Sequence, residues 1–277
     1  MEFSGSDMDN LIDILREAAR IEVLPRFFSG SAIVREKTSQ LDLVTDADTA
    51  AEAFITAALG RAFPNILVVG EEACAADPML VRHLASADFA IVVDPIDGTK
   101  NFASGLPLFG IMAAVLRAGK IVAGVILDPI KDEWSTAIAG EGAWSERPGQ
   151  SARRLVVCEQ APVEHMVGLI SSKFLAEPLR SRVLRGQAET GGGVSYRSAA
   201  HEYRLIADGH YHFALFGKLM PWDHAAGWLL HREAGGYSAL FDGRPYSVGP
   251  LEGGLLCAPN EAAWHNLHQL LLAEEST

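Results

Sequence analysis

The chain has 277 residues, 49% of them hydrophobic, and a formal net charge of −12. A chain of this size can bury most of the surface that it exposes when unfolded, in one domain or two. The acidic balance argues against a nucleic-acid partner, because proteins bind nucleic acids largely through cationic contacts to phosphate.

The sequence lacks the patterns of a membrane protein or a secreted one. Its apolar runs are shorter than the roughly 18 residues of a membrane-spanning helix. The first 13 residues contain three aspartates instead of a basic region followed by an apolar block. Cys74, Cys158 and Cys257 are far apart and form no Cys-x-x-Cys pair, which argues against disulfides and a zinc site. We therefore expect a cytoplasmic protein with no membrane partner.

The first half of the chain alternates helical and strand patterns. Residues 9–28 predict an amphipathic helix capped by Asp9, and residues 47–62 predict a second helix whose inner face includes Ala53 and Ala57. Apolar runs predict buried strands at 66–70, 89–93, 108–117, 121–128 and 133–139. Because the last three runs follow one another closely, we expect an antiparallel-rich sheet.

A segment with proline and glycine, residues 146–151, separates this region from the rest. It predicts a boundary between an N-terminal α+β half, residues 1–146, and a C-terminal α/β half, residues 147–277, within one compact unit. The glycines at 191–193 predict a loop. The second half has strand patterns at 167–171 and 214–216 and helical patterns at 198–207, 223–234 and 261–275.

The segment Asp94-Pro95-Ile96-Asp97-Gly98-Thr99 directly follows a predicted buried strand. Ionised carboxylates are costly to bury without a compensating charge. Hard divalent ions such as Mg²⁺ take oxygen ligands from carboxylates and carbonyls, so the motif predicts a cation site. The alternative is a solvated turn, since aspartate, proline and glycine are common turn formers.

Two further acidic motifs favour the cation site. Gly70-Glu71-Glu72 follows the strand pattern at 66–70, and since strand side chains alternate, we expect Glu71 to face the site. Trp222-Asp223-His224-Ala225-Ala226-Gly227 opens a helical pattern. The alternative for Asp223 is a helix N-cap, which would not prevent it from binding a metal.

The Glu71 motif, the Asp94 motif and the Asp223 motif, in this order along the chain, resemble the inositol monophosphatase family, and Asp42-Leu43-Val44-Thr45-Asp46-Ala47-Asp48 is a fourth segment that matches. The resemblance runs from about Lys37 to Gly236. It implies an α/β (α+β) layered sandwich of alternating helices and mixed, antiparallel-rich sheets. It also implies a Mg²⁺-dependent, lithium-sensitive phosphomonoesterase that forms a homodimer and acts on a small-molecule phosphomonoester.

The resemblance also implies a ligand set for two to three Mg²⁺ ions in each active site. Glu71, Asp94 and the carbonyl of Ile96 resemble the ligands of a first ion. Asp94, Asp97 and Asp223 resemble those of a second ion, with Asp94 bridging the two. A third, weaker ion would rest on Glu71 and water. The metal site thus belongs mainly to the N-terminal half, while the C-terminal half contributes Asp223 and substrate specificity.

Catalytic and substrate roles follow from the same resemblance. Thr99, oriented by Asp48, resembles the group that positions the attacking water together with Glu71. The backbone N–H groups of Gly98 and Thr99 would hold phosphate oxygens, with Asp97 beside them. Further predicted contacts on the substrate side are Lys37, Ser198 and Phe216.

Physical chemistry supports this assignment, because a phosphomonoester dianion repels an attacking hydroxide. Metal ions neutralise the phosphate, lower the pKa of bound water and stabilise the leaving oxygen. The predicted mechanism is direct attack by metal-activated water. Haloacid-dehalogenase-type phosphatases use Asp-x-Asp-Gly-Thr, one residue shorter than the spacing here, and that family leaves Glu71 and Asp223 unexplained.

The sequence does not determine which alcohol the phosphate is attached to in the substrate. Phe216 stands where inositol-specific relatives have an acidic residue, which argues against inositol phosphate as the main substrate, since an apolar ring accepts no hydroxyl hydrogen bond. Candidates are inositol-1-phosphate-like or sugar phosphates, histidinol phosphate and 3′(2′),5′-bisphosphate nucleotides. Lys100, Lys218 and His224 are expected near the pocket without an assigned role. The non-enzyme alternative is a regulatory protein that binds partners.

Overall fold

Two large β-sheets, a two-stranded hairpin and the helices packed on them make up the computed structural model of the chain. It describes residues 3–39, 42–249 and 251–274, apart from the side chains of residues 36–39 and 42. Within these ranges, every helix is too short or too polar to cross a membrane.

The N-terminal helical segment is longer than the sequence predicts. It comprises α1 (Gly5–Ala18), a π-helical stretch (Ala19–Val23) and α2 (Leu24–Ser29). Ser4 and Asp7 form a capping box at its start, so the prediction that Asp9 is the cap was wrong.

A hairpin and a long helix follow. The hairpin strands β1 (Val34–Ser39) and β2 (Asp42–Thr45) were not predicted. Helix α3 (Asp46–Ala62) begins after Thr45, close to its predicted start. Its predicted inner face was partly wrong, because Ala53 and Ala57 are exposed, whereas Ala58, which was also predicted to face inward, is buried. The buried row contains two acidic residues as well as apolar ones: Asp48, Glu52, Ile55 and Leu59.

The large sheet has seven strands in the order β3-β4-β5-β6-β7-β8-β9. Strands β3 and β4 are parallel, and every later neighbour is antiparallel. The strands are β3 (Leu67–Gly70), β4 (Phe89–Asp97), β5 (Gly110–Arg117), β6 (Lys120–Asp128), β7 (Glu133–Ile138), β8 (Gly142–Glu146) and β9 (Arg153–Arg154). Helix α4 (Glu71–Ala76) follows β3, and a 3₁₀ turn (Leu80–His83) precedes β4.

The second sheet has five strands in the order β11-β10-β12-β14-β13. Its strands are β10 (Val167–Ser171), β11 (Gly192–Val194), β12 (Phe213–Phe216), β13 (Tyr237–Leu240) and β14 (Leu255–Ala258). Strand β10 is parallel to both β11 and β12. The predicted loop at residues 191–193 was partly wrong, since Gly192 and Gly193 pair with β10.

The remaining helices complete a layered arrangement. They are α5 (Thr99–Ala103), α6 (Leu179–Gln187), α7 (Ala199–Ala207), α8 (Pro221–Glu233) and α9 (Glu261–Leu271). Apolar residues of α1 and α3 share one core with the large sheet, whereas α7 and α8 lie in the core between the two sheets. Helices α6 and α9 pack on the outer face of the second sheet.

Strand β4 shows how the layers arise from the sequence. Ile91 and Val93 belong to the core with α1 and α3, and Ala90 and Val92 belong to the core between the sheets. Side chains of a strand alternate between its faces, so a continuous apolar run serves a sheet that is covered on both sides. The predicted layered fold is thus confirmed. The division into residues 1–146 and 147–277 stays a prediction.

Candidate active site

The two aspartates of the central motif lie on β4 itself, not beyond its end. Asp94 pairs with Met112 of β5 and Asp97 pairs with Gly110, so β4 contains one extra residue between them. Residues three apart on a regular strand face opposite sides, and a bulge of one residue brings them to the same side. Both carboxyl groups accordingly line one cavity.

Gly98 allows the chain to leave β4 sharply. Its φ of 92° lies in the left-handed region, and a Cβ at this position would stand 2.9 Å from the carbonyl oxygen of Leu108. The helix α5 begins at the next residue, Thr99.

Two helix starts bring further carboxylates to the cavity. Glu71 is the first residue of α4, directly after β3, the parallel neighbour of β4. Asp223 is the third residue of α8. The N-cap of α8 is Met220, so the alternative reading of Asp223 as an N-cap was wrong. Carboxylate oxygens of Glu71, Asp94 and Asp223 all lie within 4.8 Å of one another.

The convergence of these groups raises their pKa values. Burial, together with the charges of Glu71, Asp97 and Asp223, raises the pKa of Asp94 well above its usual range. Burial and the charge of Glu71 raise the pKa of Asp223 to about 8. Ionising these carboxyl groups together is therefore unfavourable unless a cation is bound. Because all the donors are oxygen atoms, the site fits a hard divalent cation.

Asp97 is oriented by the start of α7. The Ser198 hydroxyl donates to its Oδ2 at 2.5 Å, and the Ala200 N–H donates to the same oxygen at 2.8 Å. Burial raises the pKa of Asp97 to about 6, and these hydrogen bonds oppose the rise. Ser198 thus contacts a predicted metal ligand, while its predicted contact with substrate stays a prediction.

Thr99 and Asp48 are in contact, as the resemblance implies. The Thr99 hydroxyl lies 3.1 Å from Asp48 Oδ1 and 3.0 Å from the carbonyl oxygen of Ile96. The other oxygen of Asp48 accepts the Thr45 N–H and hydroxyl at 2.8 and 2.5 Å. Burial raises the pKa of Asp48 to about 6, although the Thr45 hydrogen bonds oppose the rise. Asp48 therefore completes the capping box of α3, whose N-cap is Thr45, and holds Thr99 at the same time.

Glu52 is a part of the site that the sequence analysis missed. Its carboxylate accepts the N–H groups of Glu72 and Ala73 at 2.7 and 2.8 Å, in the first turn of α4. A Cβ at Gly70 would lie 2.2 Å from its carboxyl carbon. Glu52 therefore fixes the start of the helix that presents Glu71. The available signal was its position one helical turn after Asp48, on the same face.

The apolar wall of the cavity includes Phe216, whose ring stacks on Tyr203 at a centroid distance of 4.8 Å. His224 lies beside them, with Nδ1 3.0 Å from the Tyr203 hydroxyl and Nε2 2.6 Å from the Lys218 carbonyl. Burial lowers the pKa of His224 to about 4, so the ring is neutral near pH 7. The side chain of Lys37 lies outside the described residues.

Comparison with known proteins identifies the class of this site. The sequence model of the inositol monophosphatase family matches residues 7–276, and the chain belongs to this family. Family members are phosphoric monoester hydrolases, and this chain is a phosphatase of that class.

The proteins similar to this chain have names that indicate different activities. Inositol-1-monophosphatase of Mesorhizobium japonicum is 36% identical over 224 residues, 79% of each chain. Histidinol-phosphatase of Mycobacterium tuberculosis is 34% identical over 85% of this chain and 88% of its own. Nus factor SuhB of Pseudomonas aeruginosa is 34% identical over 83% and 80%. The crystal structure of extragenic suppressor protein SuhB from Bartonella henselae has a TM-score of 0.84 and 28% identity, and covers 98% of this chain and 100% of its own.

Proposed function

We propose that this protein is a Mg²⁺-dependent phosphomonoesterase that hydrolyses a small phosphorylated metabolite by direct attack of water. The observation that carries the proposal is the convergence of Glu71, Asp94 and Asp223, whose oxygens lie within 4.8 Å of one another. Asp97, on the same side of β4, completes a set of four carboxylates.

The residues that would hold the ions are those at the end of β4 and the starts of α4 and α8. Glu71, Asp94 and the Ile96 carbonyl form one donor set, and Asp94, Asp97 and Asp223 form the other, for two to three ions in all. When bound, Mg²⁺ neutralises charge on the phosphate and lowers the pKa of a coordinated water.

Thr99 and Glu71 would position the attacking water. Since the hydroxyl proton of Thr99 is directed to Asp48 or to the Ile96 carbonyl, a lone pair on Thr99 is left to accept a hydrogen bond from that water. The N–H groups of Gly98 and Thr99, at the turn from β4 into α5, would bind phosphate oxygens. Attack by water then breaks the P–O bond to the leaving alcohol, which takes up a proton.

The substrate belongs to the small phosphomonoesters: an inositol-1-phosphate-like compound or a sugar phosphate, with histidinol phosphate and a 3′(2′),5′-bisphosphate nucleotide as alternatives. The names of the relatives support this range, since they include an inositol-1-monophosphatase and a histidinol-phosphatase. Phe216 gives the cavity an apolar wall, which fits a leaving group that presents carbon on that side.

The variant Asp94→Asn tests the proposal with two measurements. We expect the wild type to release phosphate in the presence of Mg²⁺ and lithium to suppress this release, and we expect Asp94→Asn to lose the activity. We also expect Mg²⁺ to stabilise only the wild type against heat, by about 2.7 kcal/mol at a hundredfold excess over Kd. The matched control is Asp9→Asn, since Asp9 is exposed on α1. Full activity and full Mg²⁺ stabilisation in Asp94→Asn would contradict the ligand assignment.

A second candidate function is regulatory binding to a partner, because two relatives are named Nus factor SuhB. The intact set of carboxylates favours catalysis, since a purely binding role requires no such cluster. A panel of inositol, histidinol, sugar and nucleotide phosphates separates the two candidates. Absence of Mg²⁺-dependent release from the whole panel would favour the regulatory role.

The proposal includes a cytoplasmic location and a homodimer. Cys74, Cys158 and Cys257 are free thiols, as a reducing compartment would keep them. Light scattering after size-exclusion chromatography would test the dimer, with twice the chain mass of 29.8 kDa as the expected result.

A further inference from the structure

Four cationic side chains line the same cavity as the carboxylates: Lys100, Lys173, Arg197 and Lys218. The whole chain has 35 acidic residues and only 23 lysines and arginines. In a chain with this excess of acidic residues, the composition does not predict that four cationic side chains line one cavity. We therefore ask which parts of the fold place them there.

The second sheet places Lys173 and Lys218 together. Strands β10 and β12 are parallel, with Ser171 paired to Phe216, so the chain leaves both strands at the same edge. Lys173 lies in the turn after β10, and Lys218 lies two residues after the end of β12. Their ammonium groups lie 4.4 and 5.7 Å from the ring centroid of Phe174. Two cations thus share one aromatic ring, which is itself 45% exposed.

Arg197 is brought to the cluster by a buried carboxylate. Glu202 accepts the Tyr196 N–H at 2.8 Å and the Ser195 hydroxyl at 3.2 Å. Arg197 itself has a φ of 56°, a left-handed conformation that is unfavourable for a residue other than glycine. Strain of this kind persists where the surroundings enforce it, often at ligand sites. The position of Arg197 is therefore fixed by the fold.

Among the described residues, none of the three cations forms an ion pair with a carboxylate. In the described part of the chain, no aspartate or glutamate oxygen lies within 4.0 Å of the charged nitrogens of Lys173, Arg197 or Lys218. Loss of water around its ammonium group lowers the pKa of Lys173, as do Arg197, Lys218 and Lys100, against the opposing charge of Glu202. Cationic side chains that are held close together repel one another, and an anion bound between them would relieve this repulsion.

We propose that Lys173 and Lys218, beside the Phe174 ring, together with Arg197 of the same cavity, form a subsite for a second phosphate of the substrate. The preferred substrate is then a small bisphosphorylated metabolite: one phosphate is hydrolysed at the carboxylate cluster, and the other is bound by these cations. The exposed face of Phe174 contacts the carbon skeleton between the two phosphates. The inference rests on the proposed phosphatase function and specifies its substrate class.

The reaction balance is that of a single hydrolysis. Water adds across one P–O bond, and the products are inorganic phosphate and a monophosphate that keeps the phosphate held by the cations. The competing explanation is that the cations attract the phosphate that reacts. The two explanations differ in how removal of a cation affects bisphosphates relative to monophosphates.

The experiment compares matched substrate pairs: fructose 1,6-bisphosphate against fructose 1-phosphate, and 3′-phosphoadenosine 5′-phosphate against 3′-AMP. We expect the wild type to prefer the bisphosphate in at least one pair. In Lys173→Met and Lys218→Met, the ratio of kcat/KM for bisphosphate over monophosphate should fall about tenfold, mainly through KM. The control is Lys120→Met, because Lys120 is exposed at the start of β6, away from the cavity.

The outcomes separate the subsite from the phosphatase proposal. Release of phosphate without any preference, or equal losses for both members of a pair, would overturn the subsite alone. Absence of release from every compound would overturn the phosphatase function. Calorimetric titration with the two bisphosphates then decides the subsite: binding that weakens about tenfold in Lys173→Met supports it, and absence of binding to the wild type overturns it.

Discussion

At the scale of single residues, the Thr99 hydroxyl is held by two acceptors, Asp48 and the carbonyl of Ile96. If it positions the attacking water, Thr99→Ala should lower kcat by about 10²-fold, the lower range for a positioned proton-transfer group. Thr99→Ser keeps the hydroxyl and should retain most of the activity. Steady-state phosphate release at saturating Mg²⁺ measures both variants. An unchanged kcat in Thr99→Ala would remove its catalytic role.

The sequence indicated which acidic residues converge, but not what holds them. Glu71, Asp94 and Asp223 were predicted to meet, and their oxygens do lie together. Glu52, which holds the start of α4, was missed because its partners are backbone groups 20 and 21 residues away, and no side-chain pattern records them. A glutamate within a helix ordinarily faces solvent, so its burial depends on tertiary contacts.

Phe216 shows the same limit for substrate specificity. The sequence placed an apolar ring at the site, and the ring does line the cavity. Its stacking on Tyr203 and its contact with His224 depend on α7 and α8. Replacing Phe216 by glutamate would place a carboxylate among these groups, at a position only 4% exposed. The substitution would therefore disturb packing as well as substrate preference.

At the scale of elements, the packing of α8 on α7 depends on a glycine. A Cβ at Gly227 would lie 2.0 Å from the Tyr203 ring, whereas a Cβ at Gly60, in α3, would meet nothing within 4 Å. Gly227→Ala should lower the free energy of unfolding by about 1–3 kcal/mol through overpacking. Gly60→Ala should raise it by about 0.5–1 kcal/mol, because alanine favours an exposed helix.

Urea unfolding of the two glycine variants and the wild type measures these changes. The variants are chemically identical substitutions within helices, so helix propensity acts on both in the same direction. Opposite signs are therefore expected only if the contact with Tyr203 dominates at Gly227. Stabilisation by both substitutions would show that α7 and α8 can separate without loss of stability.

The elements that could be predicted from sequence are buried strands, because burial on both faces requires nearly every side chain to be apolar. Strands β4, β5 and β6 are buried over most of their length, and long apolar runs marked them. Strand β11 consists of two glycines and one valine, so only its pairing with β10 makes it a strand. The inner face of α3 was partly misassigned because two of its buried residues are acids that form hydrogen bonds at the site.

At the scale of the whole molecule, the sheets bring charged side chains from distant parts of the chain to one cavity. The large sheet supplies Asp94 and Asp97, and the layer between the sheets supplies Asp223 through α8. The edge of the second sheet supplies Lys173 and Lys218. Carboxylates and cationic side chains thus line one cavity. A cavity that contains both kinds of charge, in a molecule of net charge −12, fits the proposed substrate with two anionic groups.

The stability of the whole molecule should decrease in acid partly through His231. The ring is buried between α8 and β13, with Nδ1 2.8 Å from the Ser238 hydroxyl, and burial lowers its pKa from 6.5 to about 3. Below pH 6.5 the unfolded chain binds a proton here that the folded chain does not bind until about pH 3. Stability is therefore lost as the pH falls through this interval, by about 2 kcal/mol at about pH 5.

Comparison with His231→Gln isolates this contribution from those of the carboxylates. Glutamine keeps a polar partner for Ser238 and does not titrate, so His231→Gln should lose about 2 kcal/mol less than the wild type between about pH 7.5 and about pH 5. Urea unfolding at both pH values, at one Mg²⁺ concentration, gives the difference. His265→Gln is the control, because the side chain of His265 is 65% exposed. If His231→Gln had the same pH dependence as the wild type, protonation of His231 would not contribute to acid unfolding.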